Sequence, residues 1–234
     1  MKSIDLEQAR FPELVFGLAG PVGVDTAQIT DVLADALAAV GYKSTNIKLT
    51  SEMYRWNGDS PPNPGTDYFS AVTSKITYAN QQRSDRCDQS IMARMAIRAI
   101  RRERARLSGS EEGVPEKTAY VVSQLKRPEE VETLRKVYGR QFILISAYSP
   151  EADRRAALAK KIKGSKQSLQ EEHEIYALAD KLIARDAEES SAYGQRLRDT
   201  FHLGDVLVGG AQRAEMETHI ERFIRNYPPP CGAA

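Results

Sequence analysis

Gly20-Pro-Val-Gly-Val-Asp-Thr26 is the stretch of this sequence whose residue types and spacing could do chemistry. It follows the apolar run Leu14-Val-Phe-Gly-Leu-Ala19 and leads into a segment with Ile29, Val32, Leu33, Ala36, Leu37 and Val40 at helical spacing. Strand, glycine loop and helix in that order are the grammar of a phosphate-binding loop, in which backbone N–H groups and a helix N-terminus cradle an anion. Glycine permits the close approach and the unusual dihedrals that such a nest needs. Gly20, Pro21, Val22, Gly23, Val24, Asp25 and Thr26 are therefore the candidate nucleotide-binding residues.

The loop lacks standard working parts. A Walker A loop reads G-x-x-x-x-G-K-[ST]. With Gly20 at its first glycine, Asp25 falls on the second, Thr26 on the lysine and Ala27 on the hydroxyl. Without the lysine, a major counter-charge to the β- and γ-phosphates is missing. Asp25 is a favourable helix cap, with Gln28 completing a capping-box pattern, but it sets a carboxylate near the place of a phosphate. Phosphoryl transfer also needs a carboxylate after the third strand to hold Mg²⁺, and there the chain reads Ser123-Gln-Leu-Lys-Arg127. Ordinary ATP hydrolysis is not expected. A nucleotide sensor, a kinase that uses an arginine such as Arg185 against the phosphates, and a turn that binds nothing all fit the loop alone. No residue is expected to be catalytic.

Other chemistry-bearing residues are less specific. Arg98, Arg101, Arg102, Arg104 and Arg106 crowd one segment, either as a solvated helix face or as an anion or RNA contact. His219-Ile-Glu221 followed by Pro230-Cys231 echoes the H-x-E…P-C-x-x-C signature of zinc deaminases. The second cysteine is missing, and only eight residues separate Glu221 from Pro230, so no metal site is expected there. His173 reads as helix surface, and His202 as either a packed histidine or a site residue.

The elements that must position the loop alternate strand and helix. Strands are expected at Leu14–Ala19, Ser44–Leu49, Lys117–Leu125, Phe142–Tyr148 and Val206–Val208. Helices are expected after the loop, from about Tyr68 through Arg106, continuous or broken, from Pro128 to a stop at Gly139, after Pro150, over Glu171–Asp186, and around Met216–Ile224. Tyr54–Thr66 reads as a surface loop, 160–168 as exposed, and 227–234 as a disordered tail. This alternation argues for an α/β fold: three layers around a mostly parallel sheet of about five strands, in one domain over 1–226. Ligands of such sheets bind at the carboxyl ends of the strands, where the glycine loop lies.

Bulk properties bound the function. In 234 residues, 41% are hydrophobic and 28% charged, and the formal net charge of +1 provides no global field toward nucleic acid or anionic membrane. No run approaches the ~18 apolar residues of a membrane span. Cys87 and Cys231 have no metal-ligand spacing, which suits a reduced, cytoplasmic setting.

As a set in this order, several stretches resemble the N-terminal P-loop-kinase-like domain of the bacterial anti-phage dCTP deaminases, which are similar to large dCMP deaminases. They are Val15–Asp25, Tyr120–Val131, Leu134–Gly139, Ile143–Tyr148, and Arg185-Asp186 leading to Asp199–Val206. The resemblance reaches to about residue 225. It implies a nucleotide-handling or regulatory role in antiviral defence, beside a zinc-dependent deaminase domain that depletes deoxycytidine nucleotides. This sequence contains no such domain, so zinc is expected only there and this polypeptide is not expected to deaminate. It would be a piece of a longer protein or a natural short form. The partners implied are a nucleotide, a linked or associated deaminase domain and an inhibitory RNA; a homo-oligomer is compatible with the sequence.

Overall fold

Five parallel strands are built in the order β2-β3-β1-β4-β5. The strands are β1 (Leu14–Ala19), β2 (Lys43–Lys48), β3 (Thr118–Leu125), β4 (Phe142–Tyr148) and β5 (Val206–Gly209). The structure is a computed structural model that describes residues 12–61, 63, 66–110, 113–165, 171–187, 191–209 and 213–226. The expected disordered tail at 227–234 lies outside the described residues.

The three central strands are continuous apolar runs because helices cover both of their faces. On one face Phe16, Leu18, Val121 and Ile145 pack with Ile29, Leu33 and Leu37 of α1 (Thr26–Ala39) and with Met216 and Ile220 of α9 (Arg213–Asn226). On the other face Val15, Tyr120, Val122 and Leu144 pack with α2 (Leu49–Asn57), α4 (Ile91–Ser108) and α5 (Pro128–Tyr138). These layers bear out the expected α/β class, with five strands, all parallel. A third cluster joins α6 (Glu151–Ser165) to α7 (Glu172–Ala187), with Tyr68, Phe69 and Val72 of α3 (Tyr68–Asp85) packed against it.

The strand order matters for function. The chain leaves β1 toward the β2 edge and leaves β3 toward β4, so α1 and α5 lie on opposite faces. The reversal opens a crevice at the carboxyl ends of the adjacent strands β1 and β3.

One expectation is corrected. The loop reading of Tyr54–Thr66 began too early: α2 runs to Asn57 and ends at left-handed Gly58, φ +73°. Its first turns bury Leu49, Met53 and Tyr54, and that packing outweighs the turn-forming residues that follow. The expectation that 160–168 is exposed holds for Lys160, Lys161, Lys163, Gly164 and Ser165, which form the last turns of α6; Ile162 is buried against α7, and 166–168 lie outside the described residues. A short helix, α8 (Leu197–Phe201), was also not expected before β5. Of the two alternatives for Tyr68–Arg106 the broken helix is the one observed: α3 and α4 are separate, with Cys87 at φ +47° between them.

Candidate functional site

A cleft of about 340 Å³ opens at that crevice, and all seven residues from Gly20 to Thr26 line it. The loop is tightly folded. Val24 N–H donates to the Pro21 carbonyl (3.2 Å) and Thr26 N–H to the Val24 carbonyl (3.0 Å). Asp25 is the N-cap of α1, its Oδ1 accepting from Gln28 N–H at 3.1 Å, so its carboxylate serves the helix terminus. Gly23 adopts φ +95°, and a Cβ there would come within 2.8–3.0 Å of Arg154 on α6. Glycine is therefore required at this position both by dihedral and by the close approach of a helix.

The loop lysine has a spatial substitute. Lys126 leaves the end of β3, crosses to the loop, and donates from Nζ to the Gly20 carbonyl and to Asp186 Oδ1, each at 2.7 Å. Asp186, near the end of α7, is almost fully buried, and its Oδ2 accepts from Val22 N–H at 2.6 Å. A loop amide and an ammonium thus already hold an oxyanion, supplied by the protein itself. Burial first, and the Asp186 carboxylate second, push the Tyr68 phenol above its ordinary value.

Lys126 is held by a buried support. Glu130 of α5, fully buried, accepts from Lys126 N–H (2.8 Å) and Arg127 N–H (3.2 Å) with Oε2. Its Oε1 accepts from Arg83 Nη2 of α3 at 2.7 Å. The buried Arg127 side chain bonds Glu129 and the Gly194 carbonyl, tying the 191–196 segment to the same turn. A charge this deep persists only with such multiple partners.

Toward the β2 side the cleft changes character. Lys48 ends β2, and Lys75 projects from α3. Neither has an ion pair or hydrogen bond among the described residues. Burial, and secondarily the charge of Lys48, hold Lys75 below the ordinary lysine value. Gln124 is the extra residue of a β-bulge between β1 and β3, with φ +79°, and its Oε1 accepts from Thr50 Oγ1 at 2.7 Å. A non-glycine residue at positive φ on a bulge beside a cleft is strain of the kind that collects at functional sites. In all, Lys48, Lys75, Arg83, Lys126 and Lys161 line the cleft against Asp25 and Asp186. Five basic against two acidic side chains leave the cleft lining locally positive, which suits an anionic ligand.

Sequence reasoning missed Lys126, Asp186, Lys48 and Lys75. The signal for Lys126 lay in Ser123-Gln-Leu-Lys-Arg127, a lysine directly after an apolar strand, read there only for its missing carboxylate. Arg185 does not line the cleft: it reaches Thr77 Oγ1 of α3 at 3.0 Å, while its neighbour Asp186 faces the loop. One residue along a helix turns the side chain by about 100°, which separates the two.

The arginine segment is largely engaged. Arg102 grips Glu52 through two bonds (3.1 and 3.0 Å), Arg104 bonds Glu13 and Arg106 bonds Glu103 at 2.8 Å. Arg98 stacks over Trp56 at 4.9 Å. Among the described residues no group of three or more His, Cys, Asp or Glu could hold a metal ion, and no helix is long and apolar enough to cross a membrane. His219 and Glu221 are exposed on α9, and Pro230-Cys231 lies outside the described residues. His202 is exposed, its ring edge-on to Phe201.

No family model and no curated protein matches the chain. Among solved structures, it is similar to shikimate kinase from Bacteroides thetaiotaomicron, at 10% identity over 91% of this chain and 97% of that one, TM-score 0.46. It is similar to shikimate kinase from Acinetobacter baumannii in complex with shikimate, at 12% identity over 93% and 96%, TM-score 0.47. A gluconokinase from Sinorhizobium meliloti gives 12% identity over 93% and 97%, TM-score 0.39.

Proposed function

We propose that this chain is a nucleotide-binding P-loop-like regulatory domain that holds a nucleotide without consuming it. The observation that carries this reading is the pairing of Lys126 and Val22 N–H on one oxyanion beside the glycine loop, at the switch point of a parallel sheet. The loop offers N–H groups and a helix terminus, Lys126 offers the charge, and Asp186 marks where a phosphate oxygen would sit. The missing Walker lysine and the absence of a carboxylate from the β3 end support binding over turnover.

The regulated activity is proposed from the sequence resemblance alone: an anti-phage dCTP or dCMP deaminase, with its zinc in a separate deaminase domain. A zinc-deaminase module in frame with this sequence or in the adjoining gene supports that assignment; its absence from both removes it. Calorimetry with dCTP, dTTP, dATP, ATP and GTP tests the binding. Saturable heat for at least one, lost in Lys126→Gln and without product over hours, is the expected result; no heat for any of them overturns it.

One observation favours a second reading, a nucleoside or nucleotide kinase. Asp186 and Lys126 bring from α7 and β3 a carboxylate and a lysine, the two residue types the local motif lacks. Transfer of phosphate from ATP to a deoxynucleoside monophosphate would establish that reading.

A further inference from the structure

We infer that the β2 side of the cleft is a second anion site, in which Lys48, Lys75 and Arg83 take a phosphate dianion, free or as the monoester of a small molecule. It shares the cleft with the proposed nucleotide loop but stands on different side chains.

Three independent features converge there. The first is unspent positive charge: Lys48 and Lys75 are close enough to repel, yet neither meets a carboxylate among the described residues. Lys75 is half-buried and Lys48 exposed at the cleft rim, and a like charge nearby raises the cost of keeping Lys75 protonated unless an anion joins them. Burial and Lys48 depress Lys75, and a bound dianion would reverse that penalty.

The second is an orphaned donor. Arg83 is 2% exposed and lines the cleft. Its Nη atoms bond Asn80 and Glu130, but its buried Nε has no hydrogen-bond partner in the structure. A buried guanidinium N–H left open is costly unless a ligand completes it.

The third is the wall around these cations. Thr50 and Gln124 form a hydrogen-bonded pair, with Gln124 held in the left-handed region by the bulge. Thr50 Oγ1 donates to Gln124 Oε1, which leaves the amide N–H groups of this cleft-lining residue to act as donors. Met53 and Ile76 supply apolar surface beside them. Two ammonium groups match the charge of a phosphate dianion better than that of a single carboxylate. The polar pair and the apolar wall give the body of an ester something to rest on.

The test titrates the full chain with orthophosphate, AMP and dCMP, with adenosine as a neutral control, and follows heat and thermal unfolding. Saturable binding of at least one phosphate probe is expected. Lys48→Gln and Lys75→Gln should each weaken it about tenfold, the size of one charge-assisted contact. Lys126→Gln should leave it within about twofold, since that lysine serves the loop. Neither Lys48 nor Lys75 carries an ion pair among the described residues, so both variants should melt close to the wild type. Orthophosphate binding as tightly as AMP and dCMP assigns the site to free phosphate; either ester binding more tightly assigns it to a monoester. No binding by any phosphate probe, or binding untouched by both lysine variants, overturns the inference. The loop reading is scored separately by the triphosphates: their loss in Lys126→Gln with monophosphate binding retained shows two sites, and either can fail alone.

Discussion

The two ends of the cleft solve the problem of positive charge in opposite ways. At the glycine loop every strong group is spoken for: Asp25 caps α1, and Asp186 takes both Val22 N–H and Lys126. At the β2 end, Lys48 and Lys75 line the cleft without an ion pair among the described residues, and Arg83 keeps one N–H open. The loop end is therefore neutral and self-satisfied, and the β2 end is charged and unsatisfied. The difference teaches that a glycine loop marks where a phosphate can sit, whereas unpaired cations mark where the protein does not supply its own anion. A ligand must displace Asp186 at the first end and only water at the second.

The largest way to break the comparison is to remove the support both ends share. Glu130→Ala strips a fully buried carboxylate from Arg83 and from the Lys126 and Arg127 amides. Leaving a buried guanidinium uncompensated should cost about 3–5 kcal/mol, read by urea denaturation, and should weaken binding at both ends. A loss under about 1 kcal/mol would mean that Arg83 finds water instead.

Next is the loop itself. Gly23→Ala forces a β-carbon into the left-handed region and against the Arg154 backbone. The expected loss is about 1–3 kcal/mol of stability, with triphosphate binding reduced and monophosphate binding kept.

Asp186→Asn sharpens the contrast, because it removes the built-in anion while keeping its shape. If Asp186 competes with a bound phosphate, triphosphate affinity rises about tenfold, or roughly 1.4 kcal/mol. A fall in affinity would instead make Asp186 a support or a metal-holding group, and would favour the kinase reading.

The smallest effect is a pH dependence from Lys75. Its folded value is depressed, by burial first and Lys48 second, so the unfolded chain binds more protons in the window just below the ordinary lysine value. Stability should rise with pH through that window, while anion binding weakens as Lys75 loses its charge. Lys48, Arg83, Lys126, Lys161 and Tyr68 surround the same space with Asp25 and Asp186, so Lys75→Gln is the control that isolates this contribution. A bound phosphate should flatten the slope, checked by thermal melts across pH.

Much of the fold was legible because its signals are local. Leu14–Ala19 and Phe142–Tyr148 are apolar runs that only a doubly covered strand explains, and Gly139 stops α5 by its own dihedral. The site was half legible. The glycine loop announces itself over seven consecutive residues, but Lys126 and Asp186 lie 60 positions apart and meet only through topology. No sequence period records that meeting. The same holds for Lys48 and Lys75, which look like ordinary surface lysines until the fold brings β2 and α3 to one cleft. The choice of Arg185 over Asp186 failed by one helical step, a precision that pattern reading does not have without knowing which face of α7 is buried.

The account rests on an anionic nucleotide seated between the glycine loop and Lys126. Backbone and lysine side-chain NMR during a triphosphate titration reads that seat directly. The predicted result is a saturable shift of Val22 and Gly23 N–H and of Lys126 Nζ, with the Arg98–Trp56 groove unchanged. Shifts confined to that groove, or none at the loop at millimolar nucleotide, would contradict it.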